Sequence, residues 1–355
     1  MTVHTVLVTG VGGNIGQGII KALRSGHRTY RIVGIDMEPL SAGFSFVDRS
    51  YRTAPTGSKM FEKELKQILA AESPEAVYVC SPSELSFFST HKVELERDFG
   101  VTVFVNPKRV VEIGSDKFLT AVFLHNANLP QVETVIAEDD EAVNWLVEMV
   151  GFPLIAKPRK GFSSHNVFQV RSQAEIEAAR ALVPDLVLQR YIAASDCEFT
   201  AGTVSDKAGK VKGCIILHRH LLQGTTYRTE LFEDEEVTRE VIKIVEALGA
   251  VGVCNVQFKL EGRKVLVFEI NPRFSGTSGV RYLYGFNDAE MVFELLHLGT
   301  DVQQPVLQRG VVLRYWNEVF IPGVDFENIR IHQEVRSDWQ TVVMEPRSVV
   351  EKAVS

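Results

Sequence analysis

The sequence predicts a mixed α/β and α+β fold, in which a doubly wound parallel sheet is followed by a region rich in antiparallel strands. Two observations lead to this prediction. Over the first hundred residues, short apolar strands alternate with helical segments, which is typical of βαβ units and a parallel sheet. Beyond residue 195, apolar segments are joined by short polar turns, which is typical of antiparallel hairpins.

The N-terminal region, residues 1–112, contains the alternating elements. They are strand 5–9, helix 14–25, strand 31–36, helix 59–71, strand 76–80, a helix from about residue 84, and strand 101–105. Ser81, Pro82 and Glu84 have the pattern of a capping box with proline at the first helical position, so this last helix is expected to begin there.

The second region, residues 113–305, mixes both kinds of element, and its first part, about 115–192, is predicted to form a smaller subdomain. Its predicted helices are 115–126, 141–150, 172–182, 235–248 and 288–298. Its predicted strands are 153–157, 167–170, 186–192, 197–205, 210–217, 253–260 and 264–270. Residues 306–355 form a short C-terminal extension, predicted to pack on the core, in which 310–316 is strand-like.

Composition limits the class of protein. A chain of 355 residues with 45% hydrophobic and 23% charged residues is typical of a folded protein with two or three domains. The net charge of −7 argues against nucleic-acid and membrane partners. The four cysteines are far apart, so neither a zinc site nor a disulfide framework is indicated. We expect a cytoplasmic protein, because the sequence has neither a secretory leader nor a long apolar segment.

The hairpin at 253–270 carries the most informative polar pattern. If its turn is centred near Arg263, Gln257 lies opposite Glu269 and Asn255 lies opposite Asn271, so four oxygen-bearing side chains share one face. The other face is expected to enter a core, through Val256, Phe258, Phe268 and Ile270. Oxygen ligands suit Mg²⁺, but one carboxylate is too few to hold the ion without nucleotide phosphates. A polar hairpin that ends in an Asn-Pro turn is the alternative.

Two further segments could bind phosphates. Lys157 ends an apolar strand and precedes a basic loop that contains Ser163 and Ser164, although a solvated loop would have the same composition. The glycine-rich segment 10–16 follows the first strand, and Asp36 ends the second, which is the context of a dinucleotide-binding turn. A turn kept for tight packing of strand against helix is the alternative there. A P-loop motif is absent from the sequence.

Arginines and histidines in the centre of the chain are weaker candidates. Arg219, Arg228 and Arg281 could bind an anionic substrate, and Arg228 ranks first because residues 224–227 before it are expected to form a loop. His218 and His220 are two residues apart but have no third ligand nearby, so an ordinary surface pair is expected.

In this order, the segments resemble the ATP-grasp superfamily, and within it the branch similar to the large subunit of carbamoyl-phosphate synthase. The resemblance extends from the first strand to about residue 300. It implies a pre-ATP-grasp Rossmann-like domain, an ATP-grasp domain with two α+β subdomains, and a short β-rich tail. It also implies ATP and one or two Mg²⁺ ions as cofactors, with Mn²⁺ as a substitute.

The resemblance assigns roles to individual residues. Gln257, Glu269 and Asn271 would hold Mg²⁺, and Arg273 would steady the transferred phosphoryl group as a catalytic residue. Lys117 and Lys157 would contact phosphates, with Lys157 also catalytic, and Ser163 and Ser164 would lie in the phosphate-covering loop. The adenosine moiety would contact Gln189, Arg190, Tyr191, Ile192 and Glu198. Arg219 and Arg228 are the candidates for binding the substrate.

The sequence also departs from the family pattern. The loop after Lys157 has a single glycine, Arg190 stands where an acid is common, and Gly276 replaces a bicarbonate-site arginine. Carbamoyl-phosphate synthesis is therefore not expected. The leading hypothesis is an ATP-dependent carboxylate-amine ligase that forms an acyl phosphate, acts on small molecules and can assemble as a homodimer. The alternatives are an NAD-binding protein and a catalytically silent ATP-grasp scaffold.

Overall fold

The computed structural model describes residues 2–161, 166–193, 198–222, 224–332 and 340–342. Within these ranges, the strands form three larger sheets and a two-stranded ribbon. The sheets follow one another along the chain, as the alternation of predicted elements suggested, and the mixed α/β and α+β fold class is confirmed. In this part of the chain, no helix is both long and apolar enough to cross a membrane.

The N-terminal sheet is parallel throughout, with strand order β3-β2-β1-β4-β5. Its elements are β1 (Val3–Thr9), α1 (Asn14–Arg24), β2 (Thr29–Asp36), β3 (Arg49–Arg52), α2 (Lys59–Glu72), β4 (Ala76–Tyr78), α3 (Leu85–Phe99) and β5 (Thr102–Phe104). Val6 and Val8 point to the face covered by α1, whereas Leu7 points to the face covered by α2 and α3. Apolar residues cover both faces, so this sheet is doubly wound.

The predicted capping box before α3 does not form. The hydroxyl of Ser81 caps no helix, and residues Pro82–Glu84 make a short 3₁₀ turn instead. The side chain of Glu84 turns into the sheet, where its carboxylate accepts a hydrogen bond from the hydroxyl of Thr9. This acid therefore lies buried at the carboxyl ends of β1 and β4.

A four-stranded antiparallel sheet follows, with strand order β6-β9-β7-β8. The elements of this part are α4 (Lys108–Gly114), α5 (Lys117–Asn126), β6 (Thr134–Ile136), α6 (Asp140–Val150), β7 (Leu154–Pro158), β8 (Phe168–Val170), α7 (Gln173–Leu182) and β9 (Leu186–Arg190). Helices α6 and α7 pack on one face, where Leu146, Leu154 and Ile176 share a core. The other face remains available to line a cavity.

The third sheet has six antiparallel strands in the order β14-β13-β10-β11-β12-β15. Its part of the chain contains β10 (Glu198–Ser205), β11 (Val211–Leu222), β12 (Thr225–Phe232), α8 (Glu235–Leu248), β13 (Gly252–Glu261), β14 (Lys264–Asn271), α9 (Ser278–Arg281), α10 (Asp288–Val292) and β15 (Val311–Leu313). The ribbon pairs β16 (Glu318–Phe320) with β17 (Gln340–Val342), and α11 (Gly323–His332) lies between them in the chain.

The loop predicted before Arg228 is wrong, because Thr225 to Phe232 form β12. Thr226 and Thr229 are buried in this strand, which pairs with β11 on one side and β15 on the other. The buried positions of this strand carry threonines, whose hydroxyls can form hydrogen bonds inside a protein, so no apolar alternation marks the strand in the sequence.

The predicted register of the hairpin is confirmed at its functional end. Asn255 pairs with Asn271, and Gln257 pairs with Glu269. A β-bulge then interrupts the ladder, because Phe258 pairs with Val267 and leaves Phe268 as an extra residue. Val267 therefore enters the core, while Phe268 turns to the opposite face. The expectation that Phe268 lies in this core is wrong.

The N-terminal sheet is joined to the six-stranded sheet by close polar and backbone contacts. The buried amide of Asn106 donates hydrogen bonds to the carbonyls of Val253 and Pro272, at 2.8 and 3.0 Å, and accepts one from the N–H of Val251. Helix α1 also touches α9 at two glycines, because a Cβ on Gly279 would lie 2.6 Å from the Cα of Gly18. These contacts place the ends of β1 to β4 opposite β13.

Candidate active site

Two cavities meet at the polar face of β13. The inter-sheet cavity, about 570 Å³, lies between the four-stranded and six-stranded sheets. The N-terminal cavity, about 440 Å³, lies between the carboxyl ends of β1 to β4 and the six-stranded sheet. Arg219 and Gln257 line both cavities, so the two spaces are neighbours. The carboxyl edge of a parallel sheet is the usual site of ligand binding in such folds.

Lys157 ends β7 and is buried in the inter-sheet cavity with 6% of its surface exposed. Its ammonium donates a hydrogen bond to the carbonyl of Phe268 at 3.3 Å and lies 5.4 Å from the centre of that ring. Burial lowers the pKa of Lys157 to about 8, against the opposing effect of the Glu269 carboxylate. Among the described residues, no carboxylate pairs with this buried ammonium, so it is available to bind a phosphate.

Lys117 is held beside Lys157 by the start of α5. Asp116 caps this helix by accepting hydrogen bonds from the N–H groups of Phe118 and Leu119. The same carboxylate pairs with Arg159 just after β7, so the helix start is tied to the strand end. The ammonium of Lys117 donates to the carbonyl of Gly161 at 3.1 Å. Burial lowers the pKa of Lys117 as well.

Glu269 and Asn271 form a short chain of side chains with Arg273. The amide nitrogen of Asn271 donates to Glu269 at 2.9 Å, and its oxygen accepts from Arg273 at 2.8 Å. Burial acts to raise the pKa of Glu269, but the charges of Lys157 and Lys117 outweigh it, so the pKa lies below its ordinary value. Glu269 is therefore an anion at neutral pH.

The donor set around Glu269 fits Mg²⁺ bound together with phosphates. The described residues contain no group of three or more His, Cys, Asp or Glu side chains that could hold a metal ion. Glu269 forms no ion pair within 4 Å in the same residues, although two lysines act on its charge. One carboxylate, flanked by the oxygen-bearing amides of Gln257 and Asn271, leaves most coordination positions to a nucleotide.

Arg219 organises the wall shared by the two cavities. Its guanidinium contacts the Glu198 carboxylate and donates to the Gln257 amide oxygen at 2.8 Å. Glu198, expected to bind a ribose, lies in the inter-sheet cavity with this arginine as its partner. Arg219 was expected to bind a substrate, and its place beside Gln257 puts it between the two spaces.

The residues expected around adenine all line the inter-sheet cavity. They are Gln189, Arg190, Tyr191 and Ile192, at and just after the end of β9. The Gln189 amide nitrogen donates to the Thr134 hydroxyl at 2.8 Å, and the Ile192 carbonyl accepts from Lys259 at 3.2 Å. Arg190 pairs with Glu261 and Glu133. Its side chain is thus drawn towards protein carboxylates.

Other candidates are not brought to the site. Arg228 lines neither cavity, and its guanidinium lies 2.7 Å from His220 and 3.5 Å from Glu230. Arg281 is fully buried against Asp288, at 2.8 Å, and cannot reach a cavity directly. Ser163 and Ser164 lie outside the described residues.

The glycine-rich turn at 10–16 offers few free donors to a dinucleotide. The N–H of Gly12 donates to the Asp36 carboxylate at 2.7 Å, and that of Gly13 donates to the carbonyl of Gly10 at 3.0 Å. A Cβ on Gly16 would lie 2.4 Å from the carbonyl oxygen of Gly10. These contacts favour the interpretation as a packing turn over the NAD-binding one.

Sequence reasoning missed several residues of the site. Phe268 reaches the inter-sheet cavity only because of the bulge, and Arg314 reaches the N-terminal cavity from just beyond β15. The face of Asn255 was predicted, but its amide instead lines the N-terminal cavity. No local pattern reveals these positions, since each depends on contacts between distant segments.

The three sheets, the buried lysines and the polar hairpin are the features on which the resemblance to the ATP-grasp superfamily rests. Proteins of this class are ligases that use ATP and Mg²⁺. Within the chain, residues 182–319 match the family model described as "ATP-grasp in the biosynthetic pathway with Ter operon". The predicted resemblance to the ATP-grasp superfamily is thereby confirmed.

Relatives support the same class. The formate-dependent phosphoribosylglycinamide formyltransferase of Sulfurisphaera tokodaii is 24% identical over 283 residues, which cover 74% of this chain and 68% of that protein. The carbamoyl phosphate synthase large chain of Neisseria meningitidis serogroup B is 27% identical over 77% of this chain. The chain spans only 27% of the length of that protein.

A solved structure shows the same fold. The biotin carboxylase domain of Hydrogenobacter thermophilus 2-oxoglutarate carboxylase, a dimer with MgADP, ADP and bicarbonate, superposes with a TM-score of 0.68 at 17% identity. The match covers 90% of this chain and 79% of that one.

Proposed function

We propose that this protein is a ligase that activates a small-molecule carboxylate with ATP and then joins it to an amine. The observation that carries the proposal is the shared wall of the two cavities. Gln257 and Arg219 face both spaces, with Glu269 lining one space and Arg273 the other. A phosphate group in the inter-sheet cavity and a carboxylate in the N-terminal cavity would therefore meet at β13 and β14.

The reaction has two steps. In the first, a carboxylate oxygen forms a bond to the γ-phosphorus of ATP while the bond from that phosphorus to the bridging oxygen breaks, and ADP leaves. In the second, the amine nitrogen attacks the acyl carbon, the bond to the phosphate oxygen breaks, and the nitrogen loses a proton to solvent or phosphate. The products are an amide, ADP and phosphate.

The protein contributes placement and charge. Lys157 and Lys117 would hold the phosphates, and Arg273 would face the transferred group from the N-terminal cavity. Gln257, Glu269 and Asn271 would hold Mg²⁺, which when bound neutralises charge on the phosphate oxygens. No protein nucleophile is required by this scheme.

A silent scaffold is the less favoured alternative. Lys157 is kept buried although burial lowers its pKa to about 8, which is unfavourable for the folded chain. A buried lysine with a lowered pKa is typical of functional sites, so Lys157 favours an active protein over a silent scaffold.

ADP release tests the proposed function. The protein is incubated with ATP, Mg²⁺ and a panel of carboxylic acids, with hydroxylamine as a general amine that converts acyl phosphates to hydroxamates. Glu269→Gln should lower acid-dependent ADP release by about 100-fold or more. Glu94→Gln, which removes a half-exposed carboxylate that pairs with Lys66, is the matched control and should keep full activity. Equal activity in Glu269→Gln and the control would rule out the mechanism.

We also propose that the protein forms a homodimer. The biotin carboxylase domain to which it is similar was solved as a dimer. In this chain, Val306, Leu313 and Trp316 expose more than 60% of their surface, between 66% and 90%, near the end of the described region. Light scattering after size exclusion gives the mass in solution, and a single monomeric mass at micromolar concentration would contradict the proposal.

A further inference from the structure

The N-terminal cavity has two walls of opposite charge. The carboxylates of Asp36, Glu38 and Glu84 line it from the N-terminal sheet. The six-stranded sheet contributes Arg219 and Arg273, and Arg314 follows β15. A ligand in this space thus meets anions on one side and cations on the other.

The acidic wall lacks cationic partners. Within the described ranges, none of its three carboxylates forms an ion pair within 4 Å. The two oxygens of Asp36 accept hydrogen bonds from the N–H groups of Gly12 and Glu38, at 2.7 and 2.9 Å, which fixes the carboxylate at the end of β2. Burial raises the pKa of the neighbouring Glu84 to about 7, and the charge of Asp36 contributes to the rise. Asp36 and Glu38 therefore give the wall negative charge that no cation among the described residues balances, and Glu84 adds to this charge as the pH rises through about 7.

On the opposite wall, the side-chain amide of Asn255 offers a hydrogen-bond donor to a ligand. Its amide oxygen is bonded by the Thr200 hydroxyl at 2.8 Å and by the guanidinium of Arg281, which Asp288 holds at 2.8 Å. Because these donors bind the amide oxygen, the amide nitrogen of Asn255 is directed away from them. That nitrogen has no partner among the described residues, although Asn255 is 1% exposed and lines the cavity. A buried donor left unpaired is unfavourable, so a ligand oxygen is expected there.

The place of the Arg281 guanidinium beside Asn255 also depends on a glycine in β10. A Cβ on Gly202 would lie 2.2 Å from the central carbon of the Arg281 guanidinium, so only glycine fits at this position in β10. The orientation of the Asn255 amide thus depends on a fully buried ion pair and on a glycine, neither of which touches a cavity.

We propose that the N-terminal cavity binds the carboxylate substrate as a zwitterion, an amino acid in the broad sense. Its carboxylate lies at Asn255 and Arg273, and its ammonium lies at Asp36 and Glu84. This inference rests on the proposed function, since it assigns the acid that the ligase activates. A volume of about 440 Å³ suits a molecule of this size.

An ammonium fits the acidic wall better than a hydroxyl does. Both groups can donate hydrogen bonds to carboxylates, but only the ammonium supplies the positive charge that this wall lacks. Hydroxy acids therefore serve as the comparison in the test.

The test uses sets of acids of equal length. Glycine, β-alanine, 4-aminobutyrate, 5-aminovalerate, alanine and ornithine are compared with their des-amino and hydroxy counterparts in the hydroxylamine assay with ATP and Mg²⁺. At least one amino acid should show a kcat/KM at least 10-fold above those of its counterparts. Equal use of the des-amino or hydroxy acid would overturn the inference while leaving the ligase function intact. If no acid stimulates ADP release, the proposed function itself fails, and the inference fails with it.

Variants locate the two ends of the substrate. Asp36→Asn should raise the KM for the preferred amino acid about 10-fold and change that for the des-amino acid less than twofold. Asn255→Asp should raise both KM values, because it places a negative charge at the carboxylate end. Asp48→Asn is the matched control, since Asp48 also accepts a backbone N–H, that of Ile32 at 2.6 Å, but lines neither cavity.

Glu38→Gln provides a second variant if Asp36→Asn does not fold. Glu38 is exposed, and its replacement should raise the KM for the amino acid alone, by about threefold. If the KM values for the amino acid and the des-amino acid rise equally in a folded variant of the acidic wall, the ammonium does not bind at this wall.

Discussion

The Nε of Arg159 donates to both carboxylate oxygens of Asp116, at 3.0 and 2.8 Å, while the same carboxylate caps the helix that Lys117 begins. One buried acid thereby fixes the positions of two segments that flank the inter-sheet cavity. Lys117 would lose its placement if this link were broken.

We expect Asp116→Asn to raise the KM for ATP about 10-fold and to lower the free energy of unfolding by about 1 to 2 kcal/mol. Asp234→Asn is the control, because Asp234 also caps a helix and pairs with an arginine, Arg263 at 3.0 Å, but lies outside both cavities. The control should lose less stability, because its ion pair is exposed, and should keep its KM. Steady-state kinetics and chemical unfolding measure the two effects, and an unchanged KM in Asp116→Asn would refute the link.

Replacing Lys157 by methionine should abolish activity and stabilise the fold. The pKa of Lys157 is about 8 in the folded chain and ordinarily 10.5, so the charged form is disfavoured by about 3 kcal/mol. This penalty is fully present below pH 8 and disappears as the pH rises from 8 to 10.5. Lys157→Met should therefore unfold at a temperature several degrees higher at pH 7.

Lys92→Met is the control for that experiment. Burial also lowers the pKa of Lys92, which donates to the carbonyl of Val105 at 3.2 Å away from both cavities. The control should keep its activity. A Lys157→Met protein that retains ATP turnover would exclude Lys157 from the site.

Glu84 should make the fold less stable as pH rises. Burial raises the pKa of Glu84 from 4.5 to about 7, so between these values the folded state binds more protons than the unfolded state. The free energy of unfolding should fall over this window by about 3 kcal/mol from this group. Glu84→Gln should remove that part of the decrease, as measured by guanidinium unfolding at pH 5 and pH 8. If the free energy of unfolding falls equally in both proteins between pH 5 and pH 8, Glu84 is not the source of the decrease.

Gly202→Ala should destabilise the protein by about 3 kcal/mol or more, because the new methyl group would overlap the Arg281 guanidinium. Removing one partner of the buried pair, as in Asp288→Asn, should cost about 3 to 5 kcal/mol. Gly310→Ala is the control, since a Cβ there meets nothing within 4 Å, and it should be nearly neutral. Normal stability of Gly202→Ala would mean that Arg281 can move aside.

Much of the fold was predictable because its signals are local. The period-two alternation and a turn centred near Arg263 predicted the pairing of Gln257 with Glu269, which the structure reaches through a turn between Glu261 and Lys264 and the bulge at Phe268. Helix 235–248 was predicted with its observed bounds, since its apolar residues recur at helical spacing. The phosphate-binding roles of Lys117 and Lys157 stay predictions, although the structure places both side chains in one cavity.

The rest depends on long-range contacts that a local pattern does not contain. Arg228 was favoured for its presumed loop, but its strand directs it to His220. The amide of Asn255 is turned by Arg281, 26 residues further along the chain, and the N-terminal cavity forms only where two sheets meet. Such features follow from tertiary packing and not from propensity.

The bulge at Phe268 changes which positions of β14 face the core. Before it the odd-numbered residues face the core, and after it an even-numbered residue does. Val265 and Val267 share a core with Ile270, although odd and even positions of a regular strand face opposite sides. Glu269 faces the cavity from an odd position because the extra residue changes the phase. A deletion of Phe268 would restore a regular alternation, in which Val265, Val267 and Ile270 keep the core face and Glu269 and Asn271 keep the other face. It would remove the ring and the backbone carbonyl that Lys157 contacts. In evolution, the cavity can therefore gain or lose an aromatic wall beside Lys157 by a length change of a single codon, with the polar face of the hairpin unchanged.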